Sequence, residues 1–203
     1  MAATVVLCGA LAGCGQRKAA GTQAVGAEDT AGVADVAGAA DAREAAAESY
    51  LEAIDRYLTE EIAPGYQQGE ICIPFHTYVA VDERNADDIL VRGDFWVMNY
   101  EMAGDTLKTV SGGNHPGMMH VRQFADGHFE VTGFDGVEDG AAFTPSAKQI
   151  FGSRYDEFLK VNSDQERRER TRAGAIGAYV RAHGLPARLY KDFGWPAVEI
   201  PRD

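Results

Sequence analysis

The sequence predicts an α+β domain, with an N-terminal helix packed on a bent antiparallel meander of about four strands and helices at the C-terminal end. Three observations predict it. Apolar residues recur at helical spacing through residues 41–62. From Gly69 the period switches to two and stays near two until Phe134. Beyond Ser146 the pattern returns to helical spacing, ending in a capped helix and an aromatic tail.

In the first helix Ala47, Tyr50, Leu51, Ile54, Leu58 and Ile62 define one face. Asp41 and Glu44 have the spacing of a capping box, and Pro64-Gly65 stops the helix. In the first strand Ile71, Ile73, Phe75, Thr77, Val79 and Val81 share one face, and Cys72, His76 and Tyr78 the other. Pro74 lies inside it, which suits an edge strand or a bulge. Residues 82–87 form a polar turn. A long strand follows over 89–102, apolar on both faces, with Gly93 marking a bulge or a bend. Residues 103–105 turn the chain into a strand that begins at 106–110. Ser111-Gly112-Gly113-Asn114-His115-Pro116-Gly117 is expected to interrupt that strand before 118–124 resume it. Asp126-Gly127 marks a hairpin between Val121 and Val131, because both turn residues tolerate positive φ. Residues 129–134 are the last clear strand.

In the C-terminal third, 146–151 and 155–159 read as short helical turns. Ser163-x-x-Glu166 reads as a capping box for a helix running to about His183. Its first half, 166–172, is a charge run expected to be a solvated face. Ile176, Tyr179, Val180 and His183 are the expected buried stripe, with Gly184 and Pro186 ending the helix. The tail, 187–203, carries Tyr190, Phe193 and Trp195, so it is expected to dock on the domain.

The N-terminus speaks to location. Residues 2–13 are small and apolar without a charge, too short to span a bilayer. They end in Leu11-Ala12-Gly13-Cys14, which resembles the bacterial lipobox. The resemblance implies a signal peptide over 1–13 and a mature chain that begins at Cys14 and carries lipid on it. The protein would then be extracytoplasmic and tethered to the cell membrane. No Lys or Arg precedes the apolar run, which points to a natural start upstream of Met1. Residues 14–40, rich in Ala and Gly and without aromatics, read as a flexible spacer, leaving 41–203 as a single domain.

The element order over 41–134 is similar to the plan of cystatin-like and NTF2-like folds, in which a bent antiparallel meander cradles a helix. With its lipobox, spacer and one compact domain, the chain also resembles small bacterial lipoproteins. The class resemblance implies either a binding pocket on the concave sheet face or, in the cystatin manner, inhibition or interaction through loops.

The net charge of −12 argues against nucleic acid, which needs a basic stripe. Of the three cysteines only Cys72 remains in the domain, so no internal disulfide and no cysteine pair for zinc is available. Cys72 in an apolar strand reads as an inert thiol. No cofactor motif appears, and none is expected. Gly-x-Ser-x-Gly and the phosphate loop are both absent.

The candidate ligand-binding residues are Trp96, Tyr100, Asn114, His115 and His120. Asn114 and His115 sit among glycines that can bring polar heads to one end of the sheet. His115, His120, His128 and His76 lie on neighbouring strands, but their spacing fits no established metal motif and no metal is assigned. Asp94, Trp96, Met98 and Tyr100 share a strand face. An acid beside aromatics in an apolar pocket can serve as a general base, although the same stripe also suits plain core packing. The expected function is therefore a membrane-anchored domain that binds a small ligand or an extracytoplasmic protein without catalysis. The alternatives are an NTF2-like pocket enzyme of isomerase or hydrolase type, using Asp94, Tyr100, His115 or His120, and a cystatin-like inhibitor or interaction module.

Overall fold

The computed structural model describes residues 50–202. The lipobox with Cys14, the spacer and the start of the first helix lie outside the described residues.

The chain forms a mixed α+β structure. Helix α1 occupies 50–62, and its last turn, Leu58–Ile62, widens into a π-helical turn before a 3-10 turn at Ala63–Gly65. The strands β1 (Ile71–Asp82), β2 (Ile89–Ala103), β3 (Thr106–Gln123) and β4 (Phe129–Gly136) follow as an antiparallel meander. Three helices come next: α2 (Phe143–Phe151), α3 (Tyr155–Ser163) and α4 (Gln165–Ala182). The tail adds β5 (Leu189–Lys191), parallel to the start of β3, and β6 (Val198–Glu199), antiparallel to β5. Because β3 is long, β4 and β5 pair with its two ends, and β1 is the edge strand that Pro74 suggested.

Both faces of the sheet are covered, which explains why β2 is apolar on both sides. On one face Ala53, Ile54 and Leu58 of α1 pack on Val91, Phe95, Val97 and Met119. Ile54 and Leu58 are fully buried, each contributing roughly 1.5–3 kcal/mol relative to exposure. On the other face Ile73, Tyr100 and Leu107 meet Ile176 of α4, together with Tyr190 and Ile200 from the tail. A third cluster joins Val79 to Phe151 and Phe158 of α2 and α3, whose rings stack at 4.0 Å.

The turns follow their residues. Gly127 has φ +92°, and the Asp126 carboxylate accepts from the His128 backbone N–H, placing Val121 opposite Val131. The pairing of β1 with β2 slips between Tyr78 and Ala80, beside Gly93, where an added Cβ would lie 2.8 Å from the Thr77 carbonyl. Helix α4 ends in a Schellman closure: the Gly184 N–H donates to the Arg181 carbonyl and the Leu185 N–H to the Val180 carbonyl.

Three expectations need correction. Residues 111–117 do not interrupt the strand, because β3 runs straight through them. Their glycines serve close approach: a Cβ on Gly112 would lie 2.4 Å from the Val97 carbonyl, and one on Gly113 would lie 2.2 Å from the Tyr66 hydroxyl. Helix α4 is capped by Asp164, whose side chain accepts from the Arg167 N–H at 2.9 Å. Ser163 is still helical in α3 and donates back to the Leu159 carbonyl. The buried stripe of α4 is also shifted, with Arg172, Ile176 and Gly177 buried and His183 exposed.

Candidate functional site

The alternation of β2 sends Asp94, Trp96 and Met98 toward α3 and α4, while Phe95 and Val97 face α1. A cleft of about 630 Å³ opens above that face. Its floor is Phe75 and Trp96, a cross-strand pair with parallel rings 5.6 Å apart, beside Met98 and Asn114. Arg168, Glu169 and Arg172 of α4 form one wall, and Asp192 and Phe193 from the tail form the rim.

Arg172 fastens the cleft. The residue is 4 % exposed, and its guanidinium donates to both Asp192 oxygens at 2.7 and 2.8 Å, to the Thr109 hydroxyl at 2.9 Å and to the Tyr100 hydroxyl at 3.0 Å. It also lies 5.0 Å from the Tyr190 ring centroid. Burial opposes its charge, but the Asp192 and Tyr100 contacts outweigh that and raise its pKa. The same hydrogen bonds hold the Asp192 carboxyl below the usual range. Burial pushes the Tyr100 phenol up to about 12. One buried cation therefore joins α4, β2, β3 and the residue that follows β5.

Arg168 is different. Its guanidinium carbon sits 5.1 Å above the Trp96 ring, and its hydrogen bond, to the Asn162 carbonyl, is 3.5 Å long. Among the described residues it has no ion pair. Beneath it Asp94 is 3 % exposed and accepts from the Asn114 amide at 3.4 Å. Burial raises the Asp94 pKa against the opposing pull of Trp96, Asn114 and Arg168.

Of the sequence candidates, Trp96 and Asn114 line the cleft, and Tyr100 lies below it as a partner of Arg172. His115 is on the opposite face, where its Nε2 is 2.9 Å from the Tyr66 hydroxyl and burial lowers its pKa. Neighbours on one strand point to opposite faces, so Asn114 and His115 do not act together. His120 is elsewhere, 2.8 Å from Asp88 and 3.3 Å from Asp135. Burial alone would lower its pKa, and these two carboxylates raise it. His76 on β1 pairs with Asp55 and His128 before β4 with Asp126, so the meander does not gather the histidines. Among the described residues no group of three or more His, Cys, Asp or Glu side chains is placed to hold a metal ion. Cys72 is half-buried beside Thr59, and burial pushes its thiol up, away from nucleophilic character.

Sequence reasoning missed Arg168 and Arg172, which it placed in a solvated charge run. The signal was present in the spacing. Residues 168, 172 and 176 succeed one another at i, i+4 and i+8, so both arginines extend the buried stripe that Ile176 marks.

A wider groove of about 830 Å³ lies between the far end of β1 and β2 and helix α2. Its cations are all engaged: Arg84 with Asp82, Arg92 with the Ile150 carbonyl, and Arg154 with Glu157. Comparison with known proteins returned no matching family model, no similar curated protein and no similar solved structure.

Proposed function

We propose that this protein is a lipid-anchored, extracytoplasmic binding protein whose domain holds a small molecule between the sheet and α4, without catalysis. The observation that carries the reading is the cleft, where a stacked aromatic floor, a guanidinium without an ion pair among the described residues and an exposed aromatic rim face one space. Binding sites of this kind combine apolar surface with a few fixed polar groups. The anchor rests on Leu11-Ala12-Gly13-Cys14. The fold is read as a variation on the cystatin-like and NTF2-like plan. One helix on an antiparallel meander supports that, while α2–α4 on the second face and the parallel β5 depart from it.

A second reading has one observation in its favour. Asp94 is a buried carboxyl with a raised pKa beneath the cleft, as a general base would require. Its burial under Asn114 favours the binding reading, because a base must reach its substrate. The anchor is tested by Cys14→Ser and membrane fractionation. The variant should leave the membrane fraction, and continued sedimentation with membranes would contradict the anchor. The ligand reading is tested by whether the purified chain carries a small molecule.

A further inference from the structure

We propose that the cleft takes a monoanion, a carboxylate joined to a flat apolar group, with Arg168 receiving the carboxylate and Trp96 and Phe193 packing on the apolar part. This rests on the reading of the cleft as the ligand site and adds the chemistry of its occupant.

Of the two cations that line the cleft, Arg168 is the one without an ion pair among the described residues. Arg172 is spent on Asp192, Thr109 and Tyr100. Arg168 has only the long bond to the Asn162 carbonyl, and its place over the Trp96 ring restricts the planar fork. A guanidinium fork matches a carboxylate through two parallel hydrogen bonds.

The apolar part of the ligand is argued from Phe193. This side chain is 98 % exposed, yet it stands on the cleft rim. Its position is fixed by its neighbours. Asp192 is held by Arg172, the Trp195 N–H closes the turn onto the Asp192 carbonyl at 3.2 Å, and Gly194 takes φ +78°. A rigidly presented aromatic with no covering partner is surface held ready for a contact. Trp96 and Met98 supply the facing apolar surface.

The single charge follows from Glu169, which lines the same wall as Arg168 with its carboxylate 3.8 Å from Arg172, so a second negative charge on the ligand would meet a carboxylate. The net charge of −12 disfavours polyanions generally.

The test uses the full chain with Trp195→Phe, which leaves Trp96 as the single tryptophan. Phenylacetate and its neutral isostere phenylacetamide are titrated while Trp96 fluorescence is recorded. Phenylacetate should bind saturably and at least about tenfold more tightly than the amide, a preference that Arg168→Gln should abolish. Arg168→Lys should keep part of it, because the charge remains and the fork is lost. Phe193→Ala should weaken both probes to a similar degree. Equal binding of the two probes, unchanged by Arg168→Gln, would overturn the inference and leave the cleft as a ligand site. Silence of Trp96 toward both probes would overturn the inference together with the reading of the cleft.

Discussion

Arg172 makes more side-chain hydrogen bonds than any other described residue, and removing it leaves the buried Tyr100 hydroxyl behind. In Arg172→Met the Asp192 carboxylate would lose both of its short bonds and the buried Tyr100 hydroxyl its donor. The Asp192 side chain is 39 % exposed, so water takes over part of its lost bonding, and the cost rests on the unsatisfied buried Tyr100 hydroxyl; chemical denaturation should read a loss of about 1–3 kcal/mol. Asp94 behaves in the opposite sense. Its folded-state pKa lies above the ordinary 3.8, so the folded chain holds that proton more tightly than the unfolded chain. The Asp94 contribution to stability therefore falls as pH rises through the window between 3.8 and the raised folded value. Asp94→Asn should unfold at a higher temperature than the parent at pH 7, and the gap should close below the ordinary value. Thermal unfolding at both pH values reads this, and a variant less stable at pH 7 would contradict the burial argument. The place of Trp96 on a strand face with Asp94 and Met98 was legible because a strand face needs only parity to read, whereas Asn114 was singled out for the glycines around it and expected in a loop. Arg168 and Arg172 were not, because a charge run at a helix start looks solvated until the sheet beneath it is known.

At the scale of elements, β3 is the strand that builds the site. It must pass close to β2 and to Tyr66 while offering Thr109 and Asn114 to the cleft, and its paired glycines allow that. The two glycines differ in what they meet. Gly112 faces the Val97 backbone carbonyl and has φ +153°, whereas Gly113 faces the tip of a tyrosine side chain, which can move. Gly112→Ala should cost about 1–3 kcal/mol by overpacking, and Gly113→Ala clearly less, both read from denaturant midpoints. Equal costs would mean that β3 can shift away from β2. The meander, the edge position of β1, the hairpin at Asp126-Gly127 and the end of α4 were all legible, because period, proline and turn residues act locally. The continuity of β3 was not. A Ser-Gly-Gly-Asn run looks like a loop from local preference alone, and what keeps it extended is pairing to β2 along its whole length. The cap of α4 was misplaced by one residue because α3 runs on through Ser163.

For the whole molecule, the two-sided coverage of the sheet divides the labour. The α1 face is filled with Phe95, Val97 and Met119 and serves as core. The α4 face is only partly filled, and the cleft lies where α4 and the tail stand away from β2 and β3. The tail was expected to dock by its aromatics. Tyr190 does so, whereas Phe193 and Trp195 remain 98 % and 71 % exposed. That division could not be read from composition, since all three residues follow the same helix end within a few positions. The central claim is that the cleft holds a small molecule. Its most direct test is native mass spectrometry of the gently purified chain beside Asn114→Trp, a substitution that places a large ring in the opening. The parent chain should carry a stoichiometric extra mass that is missing from Asn114→Trp. The same extra mass on both chains, or a bare polypeptide for the parent, would contradict it.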